Sequence, residues 1–300
     1  MASRPNHKRT QVKQPSRMGA RPLSRKARSV RAHGPAAAAL LLLGAFGPAH
    51  ALVLGVTEGV TYKATDNQIE AKFAPLAEAL SAALKQPVTI KMLSTYNASR
   101  EAMAQQQVDV VFVHPAHLAL EAVKGGKYKS IAWTTGYTDY KVSLLCKGTA
   151  QPISNWQELN GKSLVMPDAD SITSVITRAM LRDNGLKDGA VKVSNTRYQE
   201  AVPFYVENGF TTYGATASSG VVKAWEGAGG KTCAQSRPVP IKQWLASSKL
   251  DAATAAQVRE ALLDFTHNDA GKRALTQVGY SGFQAPAADV EKSLMGWLGI

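Results

Sequence analysis

The amino-acid sequence predicts an α/β chain of two lobes, the second inserted within the first, with a ligand cleft between them. Three observations lead there. Beyond residue 51, short apolar strands alternate with amphipathic helices, the rhythm of a largely parallel sheet. The rhythm starts afresh after residue 138, with more strand–helix units than one sheet of about six strands needs. A chain of 300 residues also has length enough for one or two full hydrophobic cores. The expected division is 1–51 as a leader, 52–138 plus 237–300 as lobe I, and 139–236 as lobe II.

The leader holds ten Lys and Arg and no Asp or Glu, then the apolar run Ala36–Phe46, then Ala49-His50-Ala51. A basic stretch, an apolar run and an A-x-A site in that order mark an export signal. The run is too short for a membrane span of roughly 20 residues. Leu52 rather than a cysteine follows the cut, so no lipid anchor is expected, and either Met1 or Met18 is the start. The protein is expected in a periplasm. The net charge of +13 would suggest nucleic acid or anionic membranes as partners. With the leader set aside, 25 basic residues face 22 acidic ones, a balance of +3, and no nucleic-acid partner is expected.

The elements follow in order. Leu52–Val56 reads as a strand. Ile69, Phe73, Leu76, Leu80 and Leu84 line one helix face, the regular part placed from Pro75, a residue suited to a first turn. Val88–Leu93 alternates as a strand, Ser94–Gln107 reads as a helix and Val108–Val113 as a buried strand. His114–Val123 is helical and Tyr128–Thr134 extended. Lys141–Cys146 and Lys162–Met166 are strands. In the helix Ile172–Leu181, the residues Ile172, Val175, Ile176, Ala179 and Met180 form an apolar stripe, and Asn184-Gly185 supplies the stop. Val191–Ser194, Gln199–Val206 and Gly209–Ala217 continue as strand, helix and strand. The last third is helical over Ala252–Phe265, Ala270–Val278 and Ala287–Trp297.

Cys146 and Cys233 are the only cysteines; in an oxidising compartment they either pair or remain as buried thiols. No CxxC motif or zinc-type Cys/His spacing occurs. His114 and His117 form H-x-x-H but lack the third ligand that metal sites need, so neither metal nor cofactor is expected.

The segment MPDADSITSVITRAMLRDNG, residues 166–185, crowds Ser171, Thr173 and Ser174 into the first turn of a helix. Such residues suit a helix start, where backbone N–H groups lack partners and a partial positive charge collects. The cluster is either a plain cap or a cradle for an anion; Asp168 and Asp170 beside it either weigh against an anion, accept a proton from one, or cap the helix themselves.

These residues carry a resemblance. A strand ending in Val113, Pro115-Ala116 entering a helix, and Ser171-x-Thr173-Ser174 opening another recur in one family. So do Trp156-x-Glu158-Leu159-x-Gly161-Lys162 and Val206-x-Asn208-Gly209. The chain resembles, over most of 52–285, the phosphate/phosphite/phosphonate-binding proteins of bacterial ABC importers, two-lobed periplasmic binding proteins of the type II-like kind with a two-stranded hinge. The resemblance implies a monomer that closes on a small anionic solute and hands it to an ABC transporter permease. A sulfonate or other organic anion, or a role as a sensor for signalling, are the alternatives. It implies that Ser171, Thr173, Ser174 and Tyr140 hold the oxyanion. The family's pocket His falls at Gln199 and its pocket Asp at Thr212, which disfavours an aminoalkylphosphonate. The family's Gly before the Pro is His114 here, a neutral hydrogen-bonder facing the cleft. Glu58, after the first strand, is a further cleft candidate, and Tyr62 and Tyr198 line either cleft or core. No G-x-S-x-G elbow, P-loop or H-E-x-x-H is present, so an enzyme is not expected.

Overall fold

The computed structural model describes residues 51–58 and 64–300; the leader, its start codon and Tyr62 lie outside the described residues. Strands β1 (Leu52–Glu58), β2 (Val88–Met92), β3 (Val110–His114) and β4 (Tyr128–Thr134) build the first sheet, joined late in the chain by β10 (Gln243–Ser247) and β11 (Phe283–Gln284). Its order is β11-β4-β10-β3-β1-β2. β1 runs parallel to both β2 and β3, while β10 returns antiparallel between β3 and β4. The second sheet repeats the plan with β5 (Ser143–Cys146), β6 (Ser163–Met166), β7 (Lys192–Asn195), β8 (Tyr213–Thr216) and β9 (Lys231–Gln235), in the order β7-β6-β8-β5-β9. Here β6 is parallel to β7 and β8, and β5 is antiparallel to β8 and β9. The chain is thus α/β and two-lobed, with the second sheet inserted in the first.

Two segments cross between the lobes, and they pair with each other. Tyr140 donates its amide to the Val239 carbonyl at 3.3 Å and accepts from the Val239 amide at 2.9 Å. The Val142 amide donates to Ser236 Oγ at 2.9 Å. This two-stranded tether leaves the lobes joined by few backbone bonds, the construction of a hinge.

Each sheet is covered by helices on both faces, which explains why strands such as β3, β5 and β10 are buried along their whole length. In lobe I, α1 (Asp66–Leu84), α7 (Ala252–Asp264) and α8 (Asp269–Val278) share a core with Phe73, Phe112 and Trp244, whose rings meet tilted and edge-on at centroid distances of 4.7 and 5.3 Å. The opposite face carries α2 (Tyr96–Ala104) and α3 (Ala116–Lys124). In lobe II, α4 (Ile172–Asp183) buries Ile172, Ile176, Ala179 and Met180 against β6, while α5 (Val202–Glu207) and α6 (Ser219–Gly227) cover the other face through Val202, Val206 and Trp225. The last helix, α9 (Ala288–Leu298), places Leu294 and Leu298 in one cluster with Ala116 and Leu120 of α3 and Ile172 and Ile176 of α4.

Several sequence expectations are revised. The first helix begins at Asp66, nine residues before Pro75, because Thr65 and Gln68 form a reciprocal capping box there. His114 ends strand β3 rather than starting a helix, and Pro115 is the cap residue of α3. Gln199–Ala201 is a 3₁₀ turn preceding α5, and the following strand shortens to Tyr213–Thr216. The expected stop of α4 is present, with Asn184 as cap and Gly185 at φ +79°.

Cys146 and Cys233 form a disulfide between the neighbouring strands β5 and β9, with Cα atoms 6.0 Å apart across a separation of 87 residues. A loop of that size is worth about 4 kcal/mol in the chain-entropy description. Reduction should therefore lower the melting temperature and shift mobility on a non-reducing gel, and Cys146→Ser with Cys233→Ser should reproduce the lower value. Equal melting curves with and without reductant would show that the bridge adds nothing.

Candidate functional site

Parallel strands of α/β sheets present ligand sites at their carboxyl ends. Here the carboxyl end of β6 runs through Pro167–Asp170 into α4. Ser171 is the cap residue: its Oγ accepts from the Ser174 amide at 3.2 Å and donates to Ser174 Oγ at 3.2 Å. Ser174 Oγ in turn donates to the Pro167 carbonyl at 3.0 Å, bracing the turn. Thr173 Oγ1 meets the Tyr140 hydroxyl at 2.9 Å, so the hinge tyrosine reaches the helix end. Ser171, Thr173 and Ser174 are all buried. Burial raises the Tyr140 pKa against hydrogen bonds from Thr173 and Gln199, so the phenol stays protonated and keeps its donor.

Gln199, at the turn after β7, joins the same network. Its Oε1 accepts from Thr216 Oγ1 at 2.9 Å and from the amides of Ala217 and Ser218 at 2.6 and 3.0 Å. It thereby fixes the loop between β8 and α6 while also bonding Tyr140. Thr212 is elsewhere. It precedes β8 and bonds Ser163, the first residue of β6, at the sheet end remote from Ser171. Matching Thr212 to a pocket residue is corrected accordingly; Thr216 and Ser218 occupy the carboxyl end of that strand.

Glu58 and His114 end β1 and β3 side by side, paired in the register of the first sheet. They form a second cluster, apart from the hydroxyls. Glu58 Oε2 accepts from Lys72 Nζ at 2.8 Å, and Oε1 accepts from Lys242 Nζ at 2.7 Å and from the Tyr280 hydroxyl at 2.8 Å. Lys242 Nζ lies 4.2 and 4.7 Å from the ring centres of Tyr137 and Tyr280. Burial alone would raise the Glu58 pKa, but the Lys242 charge and the hydrogen bonds from both lysines reverse this and bring it to about 2. Burial, then the Lys242 charge, lowers His114 to about 3, so its imidazole is neutral at pH 7.

Between the lobes stands Arg100 of α2. Its Nη2 donates to Asp170 Oδ1 at 2.7 Å and its Nη1 to Asp170 Oδ2, while Nε donates to Glu121 Oε2 of α3 at 2.8 Å. His117 Nε2 lies 3.5 Å from Asp170 Oδ1. The hydrogen bond from Arg100 depresses the Asp170 pKa, so the carboxylate is charged and paired. A groove of about 550 Å³ opens beside Tyr140, lined also by Tyr137, Lys141, Ser143, Ala217 and Gln235. A larger cavity of about 710 Å³, against Pro203, Val221 and Trp225, carries none of the sequence-predicted residues. Among the described residues, no three His, Cys, Asp or Glu side chains gather to hold a metal ion.

Sequence reading missed Arg100, Lys242, Tyr137 and Tyr280. A charged residue on an amphipathic helix or beside a short strand carries no local mark of a partner 70 or 184 positions away.

Residues 59–290 match the family described as ABC transporter, phosphonate, periplasmic substrate-binding protein. Comparison with curated protein sequences finds no match. Among solved structures, XAC2383 from Xanthomonas citri bound to ATP superposes with a TM-score of 0.68 at 16% identity, over 83% of this chain and 96% of that one. PhnD1 from Prochlorococcus marinus in complex with methylphosphonate gives 0.62 at 14% identity, over 84% and 97%. A binding-protein component of an ABC phosphonate transporter from Pseudomonas aeruginosa gives 0.59 at 15%, over 82% and 85%. At these identities the structural likeness is one of fold.

The lobe I cluster sets an acid limit on stability. His114 and Glu58 both have folded pKa values below their ordinary ones, so each contributes stability above its unfolded pKa and loses it as pH falls toward the folded value. Melting temperature should fall from near pH 6.5 as the unfolded state takes up the histidine proton, and more steeply below roughly pH 4.5. His114→Gln should flatten the fall between about pH 6.5 and 4.5 and lessen it from there to about pH 3, leaving the part due to Glu58; an unaltered profile would mean that His114 is not held neutral.

Proposed function

This chain belongs to the phosphonate-type periplasmic substrate-binding family of ABC transporters, and we propose that it binds a small phosphorus oxyanion at the amino end of α4 and passes it unaltered to a permease. The observation that carries this reading is the buried helix start where Ser171 caps α4 and Thr173 meets the Tyr140 hydroxyl between the lobes. The first-turn amides, the Ser171 and Thr173 hydroxyls and the Tyr140 phenol are the donors. Ser174 braces the turn through Pro167, and Gln199 positions Tyr140. His114, neutral, offers a further hydrogen-bonding group from lobe I. Glu58 acts indirectly, because its two oxygens already accept from Lys72, Lys242 and Tyr280.

Neutral donors suffice for such a task. Hydrogen bonds to a charged partner contribute about 1.5–3 kcal/mol each, and a helix end adds about 0.3–1. Four or five of them, less the cost of ordering, reach the roughly 8 kcal/mol of a micromolar complex. The carboxylate that adjoins the helix end, Asp170, is paired with Arg100, so it does not stand unbalanced against an anion. The two lobes 52–138 plus 237–300 and 139–236 would close on the solute about the Tyr140–Val239 tether.

Titration calorimetry with phosphate, phosphite, methylphosphonate and methanesulfonate tests the reading. A phosphorus oxyanion should bind more tightly than the sulfonate, and Thr173→Ala and Tyr140→Phe should each weaken it about tenfold or more. An unchanged dissociation constant in both variants would rule out the helix end as the site.

A further inference from the structure

We propose that Arg100 is a positioning residue for the anion site, latching lobe I onto Asp170 at the mouth of α4 so that one ionic bridge both favours lobe closure and offsets the carboxylate beside the helix end. The inference rests on the reading that the α4 amino end binds the anion, but its first consequence can be measured without any ligand.

Four observations separate this pair from an ordinary surface ion pair. It is bidentate, with both terminal nitrogens of the guanidinium on both oxygens of Asp170. It joins elements of different sheets across 70 residues of sequence, Arg100 on α2 of lobe I and Asp170 before α4 of lobe II. Arg100 is itself aimed by Glu121 of α3, which accepts from Nε at 2.8 Å and from Nη2 at 3.3 Å. His117, one turn earlier on the same helix, stands 3.5 Å from the same carboxylate. Lone exposed ion pairs are weak because two flexible side chains must be held in place; here one partner is held by a third side chain and the other sits in a braced turn. The Asp170 amide donates to Asp168 Oδ1 at 2.9 Å, which fixes that turn.

The position of Asp170 gives the bridge its consequence. It directly precedes the cap residue Ser171, so its carboxylate lies where an anion at the helix end would feel it most. Paired with Arg100, its charge is offset in part and it also ties the lobes together. Without Arg100, the same carboxylate would oppose the anion and the lobes would lose the bond. A binding-competent closed state that is less populated weakens apparent affinity in proportion.

Spin labels on cysteines introduced at exposed Lys124 and Asp188, one in each lobe, read the separation by pulsed electron resonance; the native cysteines are tied in their disulfide. In the absence of added anion, Arg100→Ala should broaden and lengthen the distance distribution, with Arg100→Lys intermediate because it keeps the charge and loses the fork. Adding Asp170→Asn to Arg100→Ala should lengthen it no further, since both changes remove one shared interaction. Methylphosphonate affinity should fall about fivefold or more in Arg100→Ala. Thr173→Ala should weaken binding and leave the label separation as in the wild type, which distinguishes failure of the latch from failure of the anion site. A wild-type distance distribution in folded Arg100→Ala, judged by its circular dichroism, overturns the proposal whatever the affinity.

Discussion

A helix that begins inside a protein must find acceptors for its first amides, and α4 begins where the two lobes meet. Ser171 supplies one acceptor, for the Ser174 amide. Asp170 would be the natural second, since an acidic residue beside the cap stabilises the positive end of a helix. Its oxygens are instead drawn to Arg100 in the other lobe, and its own amide is held by Asp168. The helix start thus gathers hydroxyls and amides about a positive end, beside an acidic group that has been given another partner.

Lobe I handles a comparable problem with charges. Lys242 is buried and the Glu58 side chain nearly so, and burying either alone would be costly. Together with Lys72 and the Tyr280 hydroxyl they form a closed set in which both carboxylate oxygens accept. Tyr137 links this cluster to the tether. Its ring covers the Lys242 ammonium and packs edge-on to Tyr280 at 5.4 Å, while its carbonyl accepts from the Ile241 amide at 3.0 Å. Three residues on, Tyr140 pairs with Val239 and reaches Thr173. One short crossover therefore carries two tyrosines, each committed to a different lobe.

The sequence disclosed what is local. Apolar runs marked β1, β3, β4, β5 and β6, and the stripe of α4 fell on its buried face, because burial on both sides of a sheet leaves a continuous hydrophobic run. The capping box Thr65–Gln68 is equally local, and Pro75 is accommodated within the helix that it starts. Strands β9 and β10 were hidden for a different reason. Lys231–Gln235 is an edge strand with little apolar content, and Gln243–Ser247 is five residues following Pro238 and Pro240. Only pairing with β3 and β4 across more than a hundred residues makes the latter a strand. The site divides along the same line: Ser171, Thr173 and Ser174 are legible as a helix start, whereas Arg100 and Lys242 acquire meaning only from tertiary contact. Thr212 failed as an inference because spacing from Asn208-Gly209 says nothing about which end of the next strand a residue occupies.

The chemistry of the donors bears on what the site would select. A hydroxyl can donate or accept, so Ser171, Thr173 and Tyr140 alone would tolerate both a fully ionised oxyanion and one carrying a proton. Discrimination needs a group restricted to one role. The carboxylates of the two clusters, Glu58 and Asp170, have both oxygens engaged by cations, which competes with acceptance from an amine or an acidic hydroxyl. His114, neutral and held so by burial beside Lys242, supplies a hydrogen-bonding nitrogen without charge. The amides of the first turn only donate. On the proposed reading, the balance of obligate groups is weighted toward donors, and a ligand offering acceptor oxygens alone satisfies it better than one that brings its own ammonium.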